Sequence, residues 1–205
     1  MPFLFGMIIS FVGQLPLGFI NLLIIDVAVK KNNQAAILFS IGIVLVEAFY
    51  LSIILFGVRW LNTFQQFFSI ISIFTTICFV TLGVLYFKNG NSQRLATPKN
   101  SYLFKRVPLV NGLIVSLLNI VQIPFWILWT TYLINSSYMN DNLVHNVQLV
   151  IGAVIGTFVC LLGYIYLGKQ IVIKWPIINR NFHFIMAIFF FLAAISQTIQ
   201  LIKKH

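Results

Sequence analysis

Six long apolar runs decide what this chain can fold into. They cover about residues 3–28, 35–58, 66–87, 108–134, 147–167 and 183–202. Crossing a hydrocarbon core takes about 20 apolar residues in a helix, so each run is long enough. Charged residues make up only 8% of the chain, against about 25% in an ordinary soluble domain. A surface with so few charges cannot be wetted, and most of it must face lipid. The expected fold is an all-α membrane protein of six transmembrane helices, forming one transmembrane domain over residues 1–205. The opening "MPFLFGMIIS" lacks the basic region and small-residue cleavage site of a signal peptide and is expected to begin the first span.

The connections are short. The longest, "KNGNSQRLATPKNSYLFKRV" at about 88–107, is too short for a soluble domain, so any site chemistry lies within or beside the membrane. With six crossings the loops alternate sides. One side collects Lys30, Lys31, Lys88, Arg94, Lys99, Lys105, Arg106, Lys169, Lys174 and Arg180, and the other Arg59, Lys203 and Lys204. The positive-inside rule puts the first set in the cytoplasm and both termini outside. The loop "NSSYMNDNLVHN" at about 135–146 has no Lys or Arg, which fits an outward position. The formal charge of +10 sits between the apolar runs and not in a stripe, so it marks orientation and not a nucleic-acid partner. Cys78 and Cys160 lie inside apolar runs and act there as small hydrophobes.

The first and fourth runs contain matching weak points. "GQLPLGFINLL" begins at Gly13, and "VQIPFW" repeats its Gln-x-Pro 108 positions later. A second echo, "IGIVLVE" from Ile41 and "IGAVIGT" from Ile151, has an offset of 110. Phe-rich openings, "FFSIISIF" and "FHFIMAIF", make a third. The shared order suggests two three-helix halves, 1–90 and 107–205. An odd number of helices per half forces the halves into opposite orientations, the inverted repeat of many secondary transporters, whose substrate site is built from interrupted helices.

Proline removes a helical N–H, so Pro16 deprives the carbonyl of Val12 of its partner, and Pro124 that of Ile120. Helices 1 and 4 are therefore expected to be broken or kinked. A carbonyl freed in lipid must be re-satisfied, and it can also coordinate a cation or an ammonium group. Gln14, Gly18 and Asn21 are spaced to share a helix face, as are Ser116, Asn119 and Ile123, with Gln122 at the flank. Against a substrate site stands plain geometry: membrane helices often carry proline kinks, and Asn or Gln often only bond a neighbouring helix.

Asp26, Glu47 and Asp141 are the only acids. Glu47 lies midway along the second run, where an ionised side chain is expensive and by default functional. A carboxyl that changes charge there suits proton coupling, though a protonated carboxyl bonded between helices would look the same. Ser40 shares its face. Asp26, four residues before Lys30, fits an ion pair at the membrane boundary. Gly152, Gly156, Cys160 and Gly163 form a small-residue packing stripe, serving either the monomer or a homo-oligomer. His183 borders the last run and reads as interfacial. No metal-ligand spacing, Walker loop or nucleophile motif is present, so no cofactor and no enzyme activity are expected, and any transport must be passive or ion-driven.

These residues resemble the LysE/RhtB superfamily of amino-acid exporters over nearly the whole chain. "LPLGFIN" occupies the place of the Pro-Gly-Pro-type signature in the first helix, with Phe19 where its second proline would be. "SIGIVLVEAFY" resembles the Gly-then-acid pattern of the second helix, with Glu47 at the acidic position. "NGLIVSLLNIVQIPFW" is similar to the Gly, Asn and Pro of the fourth, through Gly112, Asn119 and Pro124, although Asn and Pro are adjacent in the family and separated here. The resemblance implies a multi-pass transporter of the bacterial inner membrane that exports amino acids or similar small metabolites. Gln14, Pro16, Gly18, Asn21, Asn119, Gln122 and Pro124 would then bind substrate and Glu47 would couple a proton. The rival readings are a non-transporting membrane scaffold and a membrane-embedded enzyme acting on lipid.

Overall fold

The computed structural model describes residues 1–15, 19–62, 107–119 and 121–174, with scattered helical residues between 73 and 88 and between 184 and 199. All regular structure among them is helical. Helix α1 spans Pro2–Gln14 and opens with a proline, which costs nothing where the N–H has no intrahelical partner. After a break, α2 spans Phe19–Lys30. A tight turn at Lys31 leads to Asn32, whose side chain accepts the N–H of Ala35 at 2.8 Å and so caps α3 (Asn33–Asn62). Helix α4 is Pro108–Leu117, again proline-led, and α5 is Gln122–Asn135. A turn with Ser137 in the left-handed region leads to α6 (Leu143–Lys174). There the side chain of Asn142 accepts the N–H of His145 at 2.8 Å.

Two stretches of these helices, Asn33–Gly57 and Leu143–Gly168, are long and apolar enough to cross a membrane uninterrupted. The α4–α5 pair qualifies only as one unit bent by 68° at its break. Six uninterrupted crossings are therefore not what the described residues present. The interrupted first and fourth segments are each two short helices, because the chain cannot keep its helical ladder through these breaks. The expected third and sixth segments lie largely outside the described residues, as do Arg94, Lys99, Lys105, Arg106, Arg180 and His183. Their described fragments touch, with Gly83 against the ring of Phe191 and Phe87 6.3 Å from Phe184.

Backbone contact at glycine sets the packing. Gly6 meets the main chain of Leu149 and Ala153, Gly152 that of Phe3, and Gly156 that of Met7. None leaves room for a Cβ, so α1 and α6 lie backbone to backbone, the close approach that small residues permit in membrane helices. The same device joins α3 to α4: Gly42 meets Leu109 and Leu113, and Gly112 meets Phe39. Phe3 and Met7 meet Gly152 and Gly156 in turn, and Phe39 and Ile43 meet Gly112 and Ser116 in turn, so each pair is parallel. By contrast α3 and α6 are antiparallel, with Glu47 beside Thr157 and Leu55 sharing a groove with Val147 and Val150. Helices α1 and α4 thus point in opposite directions.

The two seams correspond residue by residue. Phe3 and Met7 in one stand where Leu109 and Leu113 stand in the other, an offset of 106. Phe39 and Gly42 stand where Leu149 and Gly152 stand, an offset of 110. Each broken segment contributes its first half-helix to the long helix of the other half. Two apolar clusters flank this arrangement. One centres on Leu23, Ile24, Phe39, Ile43 and Leu161, and the other on Leu51, Trp126, Leu133 and Leu149.

Candidate functional site

At the first break three described carbonyls have donors from the protein. The carbonyl of Val12 accepts the N–H of Leu15 at 3.2 Å. The carbonyl of Gln14 accepts the side-chain amide of Asn21 at 2.8 Å, and that of Leu15 accepts the hydroxyl of Tyr164, from α6. Gln14 ends α1 while Asn21 sits in the first turn of α2, so the two do not share one continuous helix face. The helix is interrupted between them, and the side chain of Asn21 reaches back to the carbonyl of Gln14 as a cap. Pro16 and Gly18 lie outside the described residues.

The second break is closed similarly. The carbonyl of Leu117 accepts the hydroxyl of Tyr50, from α3, at 2.8 Å. Asn119 donates its N–H to Ser116 at 3.0 Å, and its carbonyl accepts the N–H of Gln122 at 3.2 Å. Pro124 falls in the first turn of α5, a position without need of an intrahelical N–H, so it starts the second half-helix instead of kinking one helix. The buried hydroxyl of Ser116 lies 3.3 Å from the carbonyl of Ile43 and 3.5 Å from Oε1 of the buried Gln122. Each break therefore has one carbonyl held by a tyrosine from the long helix of the opposite half.

One turn along α3 from Ile43, Glu47 is 4% exposed. Its Oε1 accepts a hydrogen bond from Ser10 Oγ of α1 at 2.7 Å. Ser10 Oγ is also bonded to Thr157 Oγ1 of α6, at 2.5 Å. The indole of Trp126, fully buried in α5, stands beside the same carboxyl, yet neither its Nε1 nor Glu47 Oε2 has a hydrogen-bond partner of good geometry. This is a carboxyl closed off from solvent and ringed by hydrogen-bond donors, with no cation among them. Ser40, on the same face, instead bonds its own helix through the carbonyl of Ala36. Asp26 and Lys30 form the expected ion pair, at 2.9 Å.

Ser10, Thr157, Trp126, Tyr50 and Tyr164 were not singled out by sequence reasoning. A signal existed for Thr157: the echoed strings "IGIVLVE" and "IGAVIGT" end on Glu47 and Thr157, and a single serine bridges the two. The glycine stripe divides in the structure. Gly152 and Gly156 are filled by α1 of the same chain, whereas Gly163 has no described atom within 4 Å of where its Cβ would be.

Long apolar helices, two breaks held from opposite halves and a lone buried carboxyl where α1, α3 and α6 meet define a polytopic membrane protein of the transporter class. The chain belongs to the LysE type translocator family, whose pattern it matches over residues 11–201. Members of this family are membrane transporters. No curated protein and no solved structure matches the chain.

Proposed function

We propose that this protein exports amino acids or related small metabolites across the bacterial inner membrane, driven by an ion gradient coupled through a proton on Glu47. The observation that carries this reading is the Glu47 carboxyl itself. It is held inside the protein by hydroxyls from two other helices, and an acid buried in a membrane segment is expensive and marks a functional site by default. The amino-acid class follows from the signature-like residues of the first, second and fourth segments. Both termini lie outside in this reading, and the domain is a three-plus-three inverted repeat over 1–90 and 107–205. The antiparallel α1 and α4 and the matched glycine seams support that arrangement.

Gln14, Pro16, Gly18, Asn21, Asn119, Gln122 and Pro124 place the substrate at the two breaks. Since protein donors already hold the carbonyls of Gln14, Leu15 and Leu117, substrate access requires those caps to be exchanged as the halves rock against each other. The test is efflux from proteoliposomes loaded with a panel of amino acids, with and without a proton gradient. Wild-type protein is expected to move at least one of them faster when the gradient is present. Glu47→Gln, which keeps an acceptor for Ser10 but cannot ionise, is expected to abolish the response to the gradient. No movement of any substrate would remove the export reading, and an unchanged response in Glu47→Gln would remove Glu47 as the coupling group.

A further inference from the structure

The hydrogen directions around Glu47 follow the charge of its carboxyl. A serine hydroxyl has one hydrogen. With the Glu47 carboxyl ionised, Ser10 donates its hydrogen to Oε1, and in the bond between Ser10 and Thr157 the donor is then Thr157. The chain therefore runs from Thr157 to Ser10 to Glu47, with both hydroxyl hydrogens pointing toward the carboxyl. That direction serves an ionised carboxylate. A proton placed on Oε1 reverses the first bond, and Ser10 must then turn its hydrogen toward Thr157. Both directions fit the same heavy-atom positions.

The spacing is that of hydrogen bonds and not of oxygens gathered on a metal ion. Oxygens around a hard metal cation stand about 2.0–2.6 Å from it and hence roughly 3 Å from each other. The pairs here are 2.5 and 2.7 Å apart, which are O–H···O separations. The second oxygen, Oε2, has no hydrogen-bond partner of good geometry, although the Trp126 indole stands beside the carboxyl. Thr157 occupies the counterpart of Glu47 at the 110 offset, and Ser116 that of Ser10 at 106. The second half thus repeats the hydroxyls but not the acid.

We propose that Ser10 and Thr157 are the positioning residues of a single-proton site on Glu47, a hydroxyl chain through α1, α3 and α6 whose direction follows the protonation of that carboxyl. The proposal rests on the transport reading for its purpose but not for its test. Thr157 belongs to the second half and Ser10 to the first, so the chain links the proton to the α1–α6 seam that any rocking must shear.

Glu47 is the only glutamate in the chain. Protein made with 13C at the glutamate side-chain carboxyl therefore reports this one acid, by its NMR shift in lipid nanodiscs titrated with pH and without substrate. Wild type is expected to show one transition. Ser10→Ala is expected to move its midpoint by about one pH unit, the order of one charge-assisted hydrogen bond, and Thr157→Val, one hydroxyl further away, by a smaller but measurable amount. Thr157→Ser, which restores the hydroxyl, is expected to return the midpoint to the wild-type value. A merely structural role would not distinguish serine from valine in this way. Midpoints in Ser10→Ala and Thr157→Val equal to wild type would overturn the proposal. So would a wild-type midpoint that moves when sodium replaces potassium at constant ionic strength. Because no substrate is present, a failure of export leaves this result untouched, and an unmoved midpoint leaves export untouched.

Discussion

Replacing Gly152 by alanine tests the backbone-to-backbone seam that holds α1 against α6. The added methyl would stand 2.9 Å from the carbonyl carbon of Phe3, closer still to its oxygen, and 3.1 Å from the N–H nitrogen of Met7. These are main-chain atoms and cannot rotate away. To reach ordinary contact the helices must part by roughly 1 Å, and a gap of that size forfeits a quarter to a half of each atom pair's dispersion energy along the seam. Overpacking of this kind costs about 1–3 kcal/mol. For a chain of this length each kcal/mol corresponds to about 2–4 °C in Tm, so Gly152→Ala is expected to melt several degrees below wild type. The matched control is Gly163→Ala on the same helix, where no described atom lies within 4 Å. It removes a flexible residue from a helix interior and is expected to be neutral or to gain about 0.5–1 kcal/mol. The measurement is loss of helical circular dichroism on heating in one detergent, for all three proteins. The reasoning is refuted if Gly152→Ala melts at or above wild type, or if Gly163→Ala falls by as much.

Three further substitutions separate strong contacts from weak ones. Tyr164→Phe and Asn21→Ala each leave one break carbonyl, that of Leu15 or Gln14, without its donor; each is expected to cost about 1–3 kcal/mol, read as a lower midpoint in the same thermal assay. Lys30→Ala removes a pair whose lysine is 45% exposed, and such surface pairs are worth about 0–1 kcal/mol, so its melting curve is expected to overlay wild type within about 2 °C.

The sequence was legible wherever a single helix carried the signal. Apolar run length located the described segments to within a few residues at most ends, because the requirement to satisfy the backbone in lipid leaves the chain little choice. The two Gln-x-Pro motifs marked where the ladder would fail, and the i to i+4 spacing of Asp26 and Lys30 gave their ion pair. Glu47 stood out because an acid within a membrane helix is costly. What the sequence misjudged was the register at the breaks. Gln14 and Asn21 share a face only if the helix runs on, and Pro124 frees a carbonyl only if it lies inside a helix. In the structure it opens one.

The partners of these groups were decided by tertiary structure alone. Nothing local to "LPLGFIN" says that a tyrosine 149 positions from Leu15 will bond its carbonyl, or that Ser10 will meet a threonine 147 positions away. Those meetings follow from glycines that let α1 lie directly on α6 and α4 on α3. Glycine count is visible in a sequence, but which main chain fills each space is not. The sequence by itself determined a lipid-embedded helical chain with two interruptions and one intramembrane acid, since burial in lipid tolerates few other arrangements. Only the packing decided that protein donors hold the interruptions closed, and that the acid sits on a chain of hydroxyls crossing from one half of the molecule to the other.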